Sequence, residues 1–149
     1  MTIWVDADAF PRAIRDILIR ASKRLSIPVT FVANRHIRLP ESDLLSSLIA
    51  SEGPDQADDM IVENVQETDL VNTADVPLAD RVVTKGANAL DPRGTLYTVD
   101  NIKERLATRD LMADLRDEGL VSGGPSAFGA RQIQSFANGL NTYLTRALK

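Results

Sequence analysis

The sequence lacks several residue types on which common enzyme chemistries depend. It has no cysteine, which excludes disulfides, cysteine-ligated zinc, iron–sulfur clusters and a cysteine nucleophile. His36 is its one histidine, so a Ser-His-Asp triad would have to include that residue. Aromatic residues make up 5% of the chain, which argues against an aromatic platform for stacking bases.

Long apolar segments are also absent from the sequence. No apolar run approaches the roughly 18 residues that a membrane-spanning helix needs. The first residues show neither the basic start nor the apolar stretch of a signal peptide, so we expect a cytoplasmic protein with no membrane partner. The 149 residues suit a single folded domain over 1–149, and nothing in them specifies an oligomeric state.

What is present is a regular alternation of short apolar runs and helical patterns. Strands are predicted at 2–6, 28–33, 44–51 and 70–74, the third of them from its place in the alternation. Helices are predicted at 11–25, 57–65, 76–85, 100–117 and 129–148. This order implies βαβ units, and therefore an α/β fold in which a mainly parallel central sheet is flanked by helices. In such sheets, ligands bind at the carboxyl ends of the strands.

Acidic side chains are concentrated in the middle of the chain. The net charge is −4, but residues 51–99 contain 10 acidic and 3 basic side chains. Aspartates follow three separate predicted segments, and the fold should bring them to one edge of the sheet. They are Asp6 and Asp8 after the first strand, Asp55, Asp58 and Asp59 at a helix entry, and Asp75 after the strand at 70–74.

Carboxylates at one sheet edge repel one another, and each raises the pKa of its neighbours. A hard divalent cation such as Mg²⁺ or Mn²⁺ relieves the repulsion because it takes oxygen ligands. Such an ion also lowers the pKa of water and stabilises charge at a phosphodiester. The sequence therefore predicts a shared cation site. The alternative is structural, since Asp8, Asp55 and Asp75 are each placed to cap a helix and Asp58 to interact with a helix dipole.

Basic side chains follow other predicted strands. Arg35 and Arg38 lie on a loop after the second strand, and Arg93 lies in a turn after a further possible strand. Because the guanidinium fork matches phosphate, we predict that these three arginines hold substrate phosphates, with a solvated loop as the alternative. A glycine-rich segment at 122–126 opens the last helix, and it is either a phosphate cradle or a plain connector.

Five motifs together are similar to the YaiI/YqxD family of uncharacterised bacterial proteins, and the resemblance spans essentially the whole chain. They are Trp4-Val-Asp-Ala-Asp-Ala-Phe-Pro11, Gly53-Pro-Asp-Gln-Ala-Asp-Asp-Met-Ile61, Thr73-Ala-Asp-Val-Pro-Leu-Ala79, Asn88-Ala-Leu-Asp-Pro-Arg-Gly94 and Gly123-Gly-Pro-Ser-Ala-Phe128. The resemblance implies a PIN-like domain, a small three-layer α/β fold. Many PIN-like proteins are Mg²⁺- or Mn²⁺-dependent ribonucleases with clustered acidic residues.

The resemblance also bears on the site residues. It suggests an acidic metal site formed by Asp6, Asp8, Asp58, Asp59 and Asp75. Family members commonly carry cysteine at the position that Phe10 occupies here. A thiol is therefore not essential to a shared mechanism, and we expect the phenyl ring to lie near the site and to narrow it.

The leading hypothesis is a divalent-metal-dependent nuclease that hydrolyses RNA phosphodiesters. Asp6, Asp58 and Asp75 would be its catalytic metal ligands, with Asp8 and Asp59 as further ligands or supporting groups. Two alternatives stay open at this point. One is a non-catalytic PIN-like module that binds RNA, a nucleotide or a protein partner. The other is a small-molecule phosphohydrolase that acts on a phosphorylated ligand.

Overall fold

The computed structural model describes residues 1–8, 10–51, 53, 55–117, 119 and 129–148. Its strands are β1 (Ile3–Asp6), β2 (Val29–Ala33), β3 (Leu45–Ile49), β4 (Leu70–Asn72), β5 (Asn88–Leu90) and β6 (Leu96–Tyr97). Its helices are α1 (Arg15–Leu25, after a 3-10 turn at Arg12–Ile14), α2 (Gln56–Asn64), α3 (Val76–Thr84), α4 (Val99–Asp117) and α5 (Ala130–Ala147). The predicted loop at 122–126 lies outside the described residues.

The predicted alternation of strands and helices is confirmed. The four predicted strands correspond to β1–β4, and the five predicted helices correspond to α1–α5. The sequence indicated β5 only as a possible strand before Arg93 and did not predict β6, because strands of 3 and 2 residues are too short to show a period.

One six-stranded sheet holds the fold together, in the order β3-β2-β1-β4-β5-β6. Every neighbouring pair is parallel except β5 with β6, so the predicted, mainly parallel α/β sheet is confirmed. From β1 the chain moves outward to β2 and β3, and it then returns to place β4 on the other side of β1. The β1–β4 junction is thus a topological switch point, where ligands bind in sheets of this kind.

Helices cover both faces of the sheet, because alternate strand residues point to opposite sides. On one face α1 and α5 pack on the sheet through Leu18 and Phe136, together with Val5 of β1. On the other face α2 and α3 contribute Ile61 and Leu78 to a second buried cluster. These three layers leave the loops at the carboxyl edge of the sheet as the place where polar side chains can meet. Within the described part of the chain, no helix is long and apolar enough to cross a membrane.

Asp69 joins β4 to the start of β1 at the opposite edge of the sheet. Its Oδ1 accepts from the Thr2 backbone N–H at 2.8 Å, and its Oδ2 accepts from Trp4 Nε1 at 3.1 Å and from the Gln66 backbone N–H at 2.9 Å. The residue is buried, so removal of the carboxylate would leave three donors without this acceptor.

We expect Asp69→Ala to lower the free energy of unfolding by about 2–4 kcal/mol, because hydrogen bonds to charged groups are among the strongest in proteins. Urea denaturation measures the change. Asp114→Ala removes the same charge from an exposed helix position and should stay within about 0.5 kcal/mol of the unmodified protein. Equal losses in the two variants would show that Asp69 does not join the strands.

Candidate metal centre

Three aspartates from three segments meet at the switch point. One carboxylate oxygen from each of Asp6, Asp58 and Asp75 lies within 4.8 Å of the others. Asp6 is the last residue of β1, Asp58 lies in the first turn of α2, and Asp75 is the N-cap of α3. The aspartates that the sequence placed after separate segments are therefore neighbours in space.

Local sequence explains why each carboxylate points inward. Asp6 follows Val5 by one residue, so it faces the α2 side of the sheet while Val5 faces the α1 side. The chain enters α2 through two left-handed positions, Gly53 with φ 128° and Asp55 with φ 67°. This sharp entry places Asp58 opposite β1.

Asp75 both caps a helix and faces the cluster. Its Oδ1 accepts from the Leu78 backbone N–H at 3.1 Å, so the capping interpretation of Asp75 is confirmed. Capping does not preclude binding of an ion, since a carboxylate has a second oxygen. Pro77 lies at the start of the same helix, where it needs no hydrogen-bond partner for its nitrogen.

Thr73 connects the carboxylate of Asp6 to the backbone of Asp75, and the sequence did not predict this role. Its hydroxyl donates to Asp6 Oδ2 at 2.8 Å and accepts from the Asp75 backbone N–H at 2.9 Å. The residue is fully buried just beyond β4. The available sequence signal was a threonine near the end of the predicted strand at 70–74. A hydroxyl that is buried there is almost always hydrogen-bonded.

The cluster perturbs its own carboxyl groups. Burial raises the pKa of Asp6 to about 6; the Thr73 hydrogen bond opposes this, and the charges of Asp58 and Asp75 add to it. Burial likewise raises the pKa of Asp58 to about 6, with further increases from the charges of Asp75 and Asp55. Negative charge at this point is thus unfavourable in the protein alone, and a bound cation would offset it.

Two further aspartates line the same cavity, which has a volume of about 260 Å³. Asp8 accepts from the Asn34 backbone N–H at 2.9 Å through Oδ2, so it ties the β1 loop to the β2 loop instead of capping a helix. Asp55 is the N-cap residue of α2, as predicted, but its side chain makes no capping bond and lines the cavity. The sequence also missed Asn34, whose only hint was its position after a strand.

Asp59 points to a different partner. Its carboxylate forms a 2.9 Å ion pair with Arg81 of α3, and both side chains are nearly half exposed. It is not a member of the three-carboxylate group among the described residues. Its charge still reaches Asp58, where it adds to the rise in pKa while Arg81 opposes it.

The predicted phosphate-binding arginines lie on exposed loops. Arg35 follows Asn34 directly, and Arg38 lies further along the same loop. Arg93 lies in the β5–β6 turn, where its backbone N–H donates to Asp91 Oδ1 at 2.9 Å. Among the described residues, none of these three side chains lines the acidic cavity.

Phe10 does not narrow the acidic cavity, so that expectation is wrong. The ring is buried on the α1 and α5 side, where it packs edge-on against Phe136 with centroids 5.5 Å apart. The position belongs to the hydrophobic core because the chain has turned away from the cluster after Asp8. Phe10 therefore does not line the cavity that holds the three carboxylates.

Comparisons with known proteins agree on one family. A family model described as "Uncharacterized BCR, YaiI/YqxD family" matches residues 4–146. A UPF0178 protein of Trichlorobacter lovleyi is 54% identical over 149 residues, which covers 100% of this chain and 97% of that protein. A UPF0178 protein of Geobacter metallireducens is 52% identical, covering 100% of this chain and 96% of that protein.

A structure search finds a chain of low similarity. The crystal structure of a mutant of Rae1 (YacP) from Bacillus subtilis is 17% identical, covers 99% of each chain, and has a TM-score of 0.36. Strand order and register define the fold of the present chain independently of that similarity.

Proposed function

The chain belongs to the YaiI/YqxD family of uncharacterised bacterial proteins. From this membership and from the aspartate site, we propose that the protein is a divalent-metal-dependent nuclease that hydrolyses RNA phosphodiesters. One observation carries the proposal. Three carboxylate oxygens from Asp6, Asp58 and Asp75 lie within 4.8 Å of one another at the switch point of a parallel sheet.

The donor set fits a hard cation. All three groups offer oxygen, which suits Mg²⁺ or Mn²⁺, and a chain without cysteine offers no thiolate ligand. The raised pKa values of Asp6 and Asp58 support the fit, since a positive ion would remove the repulsion that helps to cause them. A divalent cation held here would lower the pKa of water and neutralise charge on a phosphate.

The protein's own groups then have distinct tasks. Asp6, Asp58 and Asp75 hold the ion, and Thr73 orients Asp6 through the bond to its Oδ2. We assign Asp8 and Asp59 as supporting groups around these ligands; Asp8 bonds to the Asn34 backbone N–H, and Asp59 pairs with Arg81. Such supporting contacts tune metal affinity and activity by about 10- to 100-fold in other sites.

Substrate phosphates require positive charge, which the acidic cavity itself does not offer. We assign this task to Arg35 and Arg38 on the loop after β2, and to Arg93 in the β5–β6 turn. All three side chains are exposed, so they are free to reach the phosphates of an extended strand. A cation held by three aspartates suits phosphodiester cleavage. RNA is the proposed polymer because the motifs resemble PIN-like proteins, many of which are ribonucleases.

Incubation of the purified protein with single-stranded RNA tests the proposal. We expect cleavage with Mn²⁺ or Mg²⁺ and none with EDTA. Parallel reactions contain p-nitrophenyl phosphate in place of RNA as a second substrate. Turnover of this monoester without RNA cleavage would identify a phosphohydrolase instead. Metal binding without any turnover would identify a non-catalytic module, and either result contradicts the nuclease.

Metal binding should depend on pH in a defined direction. The carboxyls of Asp6 and Asp58 both have a pKa near 6, so below that pH protons occupy them and compete with the ion. We expect Mn²⁺ affinity to be maximal above pH 7 and to fall by up to about 100-fold per pH unit below pH 6, where two protons are displaced.

Calorimetric titration with Mn²⁺ at pH 5 and pH 7.5 measures this dependence. Repetition in two buffers of different ionisation enthalpy counts the protons released. Release should approach two protons per ion at pH 5 and should be close to zero at pH 7.5. Equal affinity at both pH values would show that the ion binds elsewhere.

A further inference from the structure

Arginine side chains gather on the side of the β1 loop that is opposite the aspartates. Arg12 of the 3-10 turn and Arg15 of α1 line one small cavity together with Ala7 and Phe10. Arg35 lies close enough for its charge to act on Arg15. We refer to Arg12, Arg15 and Arg35 as the arginine cluster.

The arginine cluster is electrostatically unfavourable in the protein alone. Partial burial lowers the pKa of Arg15, and the charges of Arg12 and Arg35 lower it further, while Asp16 offsets part of the effect. Among the ion pairs of the described residues, none includes a member of the cluster. Two of its members also begin a helical segment, where the backbone dipole already favours anions over cations.

The arginine cluster and the acidic cavity share the same two loops. Asp6 and Asp8 line the acidic cavity, while Ala7 between them lines the cavity of the cluster. Asn34 bonds to Asp8 and immediately precedes Arg35 in the chain. The acidic cavity and the arginine cluster are thus built from adjacent residues of the same two loops.

We propose that Arg12, Arg15 and Arg35 bind the phosphates of single-stranded RNA that flank the bond at the acidic cavity. This inference rests on the proposed nuclease function and adds Arg12 and Arg15 to the substrate site. The cavity between them is only about 10 Å³, too small for a base and sufficient for at most one water. Recognition is thus of backbone phosphate at the guanidinium rim, without sequence preference.

RNA binding without metal tests the arginine cluster separately from cleavage. Fluorescence anisotropy in EDTA follows a labelled single-stranded oligoribonucleotide binding to the full chain and to the double variant Arg12→Ala/Arg15→Ala. We expect the double variant to bind about tenfold more weakly or worse, since a hydrogen bond to a charged group contributes at least that factor. The slope of log K against log salt should fall by about 0.7 for each phosphate that the variant no longer neutralises.

Arg20→Ala is the matched control, because it removes an exposed arginine from the middle of α1, more than one turn beyond Arg15. It should leave both affinity and salt slope unchanged. Thermal melting of the double variant adds a second readout. Removal of like charges should leave the melting temperature unchanged or raise it, whereas a purely structural role would lower it.

The two hypotheses fail in different ways. RNA binding that the double variant retains, or wild-type protein that does not bind RNA, overturns the arginine cluster as a phosphate site. Salt-sensitive binding that the double variant loses supports the cluster even where Mn²⁺ produces no cleavage. Where cleavage occurs, the double variant should raise KM and leave kcat within about fivefold.

Discussion

Asp6→Asn should abolish Mn²⁺-dependent RNA cleavage and at the same time stabilise the protein. Asparagine keeps the shape of aspartate but removes the charge that would hold the ion. We expect a loss of more than about 100-fold in kcat/KM, which exceeds the effect of a group that only supports a metal ligand. Single-turnover cleavage of labelled RNA measures the loss.

The gain in stability follows from the raised pKa of Asp6, which is about 6. A carboxyl with a folded-state pKa above its unfolded value destabilises the fold at pH values where it is ionised. At pH 8 without metal, the neutral asparagine should therefore add roughly 2 kcal/mol, or about 4–8 °C in melting temperature. Protonation of Asp6 should raise the free energy of unfolding of the wild-type protein by a similar amount as the pH falls from 7 to 4.

The loss of cleavage combined with the gain in stability distinguishes a functional role of Asp6 from a structural role. A variant that loses both activity and stability would mean that Asp6 holds the fold together, and an active variant would contradict its role as a ligand. Asp43→Asn makes the same chemical change at an exposed position just before β3, at the opposite edge of the sheet. It should change neither cleavage nor melting temperature.

Gly139→Ala should cause the largest loss of stability of the substitutions considered. Gly139 lies in α5 and contacts the backbone of Gly94 in the β5–β6 turn, where φ is 86°. A Cβ at residue 139 would fall on the carbonyl oxygen of Gly94, and backbone on both sides cannot move aside as a flexible side chain would. The helix therefore passes close to the β5–β6 turn at a point where neither residue has room for a side chain.

We expect Gly139→Ala to lower the free energy of unfolding by about 3 kcal/mol or more, as overpacking in a core does. The melting temperature should fall by about 6–12 °C for a domain of this size. Asn138→Ala, the exposed neighbour on the same helix, should stay within about 0.5 kcal/mol. A melting temperature for Gly139→Ala within about 2 °C of wild type would mean that α5 shifts to accommodate the methyl group.

Much of the architecture is local information that a single sequence carries. The short β-rich run at 2–6 and the helical spacing from Ile14 to Leu25 depend only on residues close in the chain. The sequence did not define β5 and β6, which are short strands whose formation depends on pairing with β4 and with each other. Pairing energy comes from neighbours distant in sequence, so no local pattern encodes it.

The candidate site shows the same division. Because parallel strands end at one edge, the positions of Asp6, Asp58 and Asp75 after or beside strands sufficed to predict that they meet. The sequence did not predict that the Asp55 side chain would face the cavity instead of forming a capping bond. It also did not predict that Phe10 would join the core. Both outcomes depend on backbone turns whose direction is set by what the chain packs against.

The sequence by itself therefore determined the class of fold, the family and the type of ligand that the carboxylates suit. Only the tertiary structure decided the strand order, which places β4 beside β1 and thereby Thr73 beside Asp6. It also decided that Arg12 and Arg15 lie across one loop from the aspartates. The physical reason is that composition and periodicity act along the chain, whereas charge repulsion, burial and hydrogen bonding act through space.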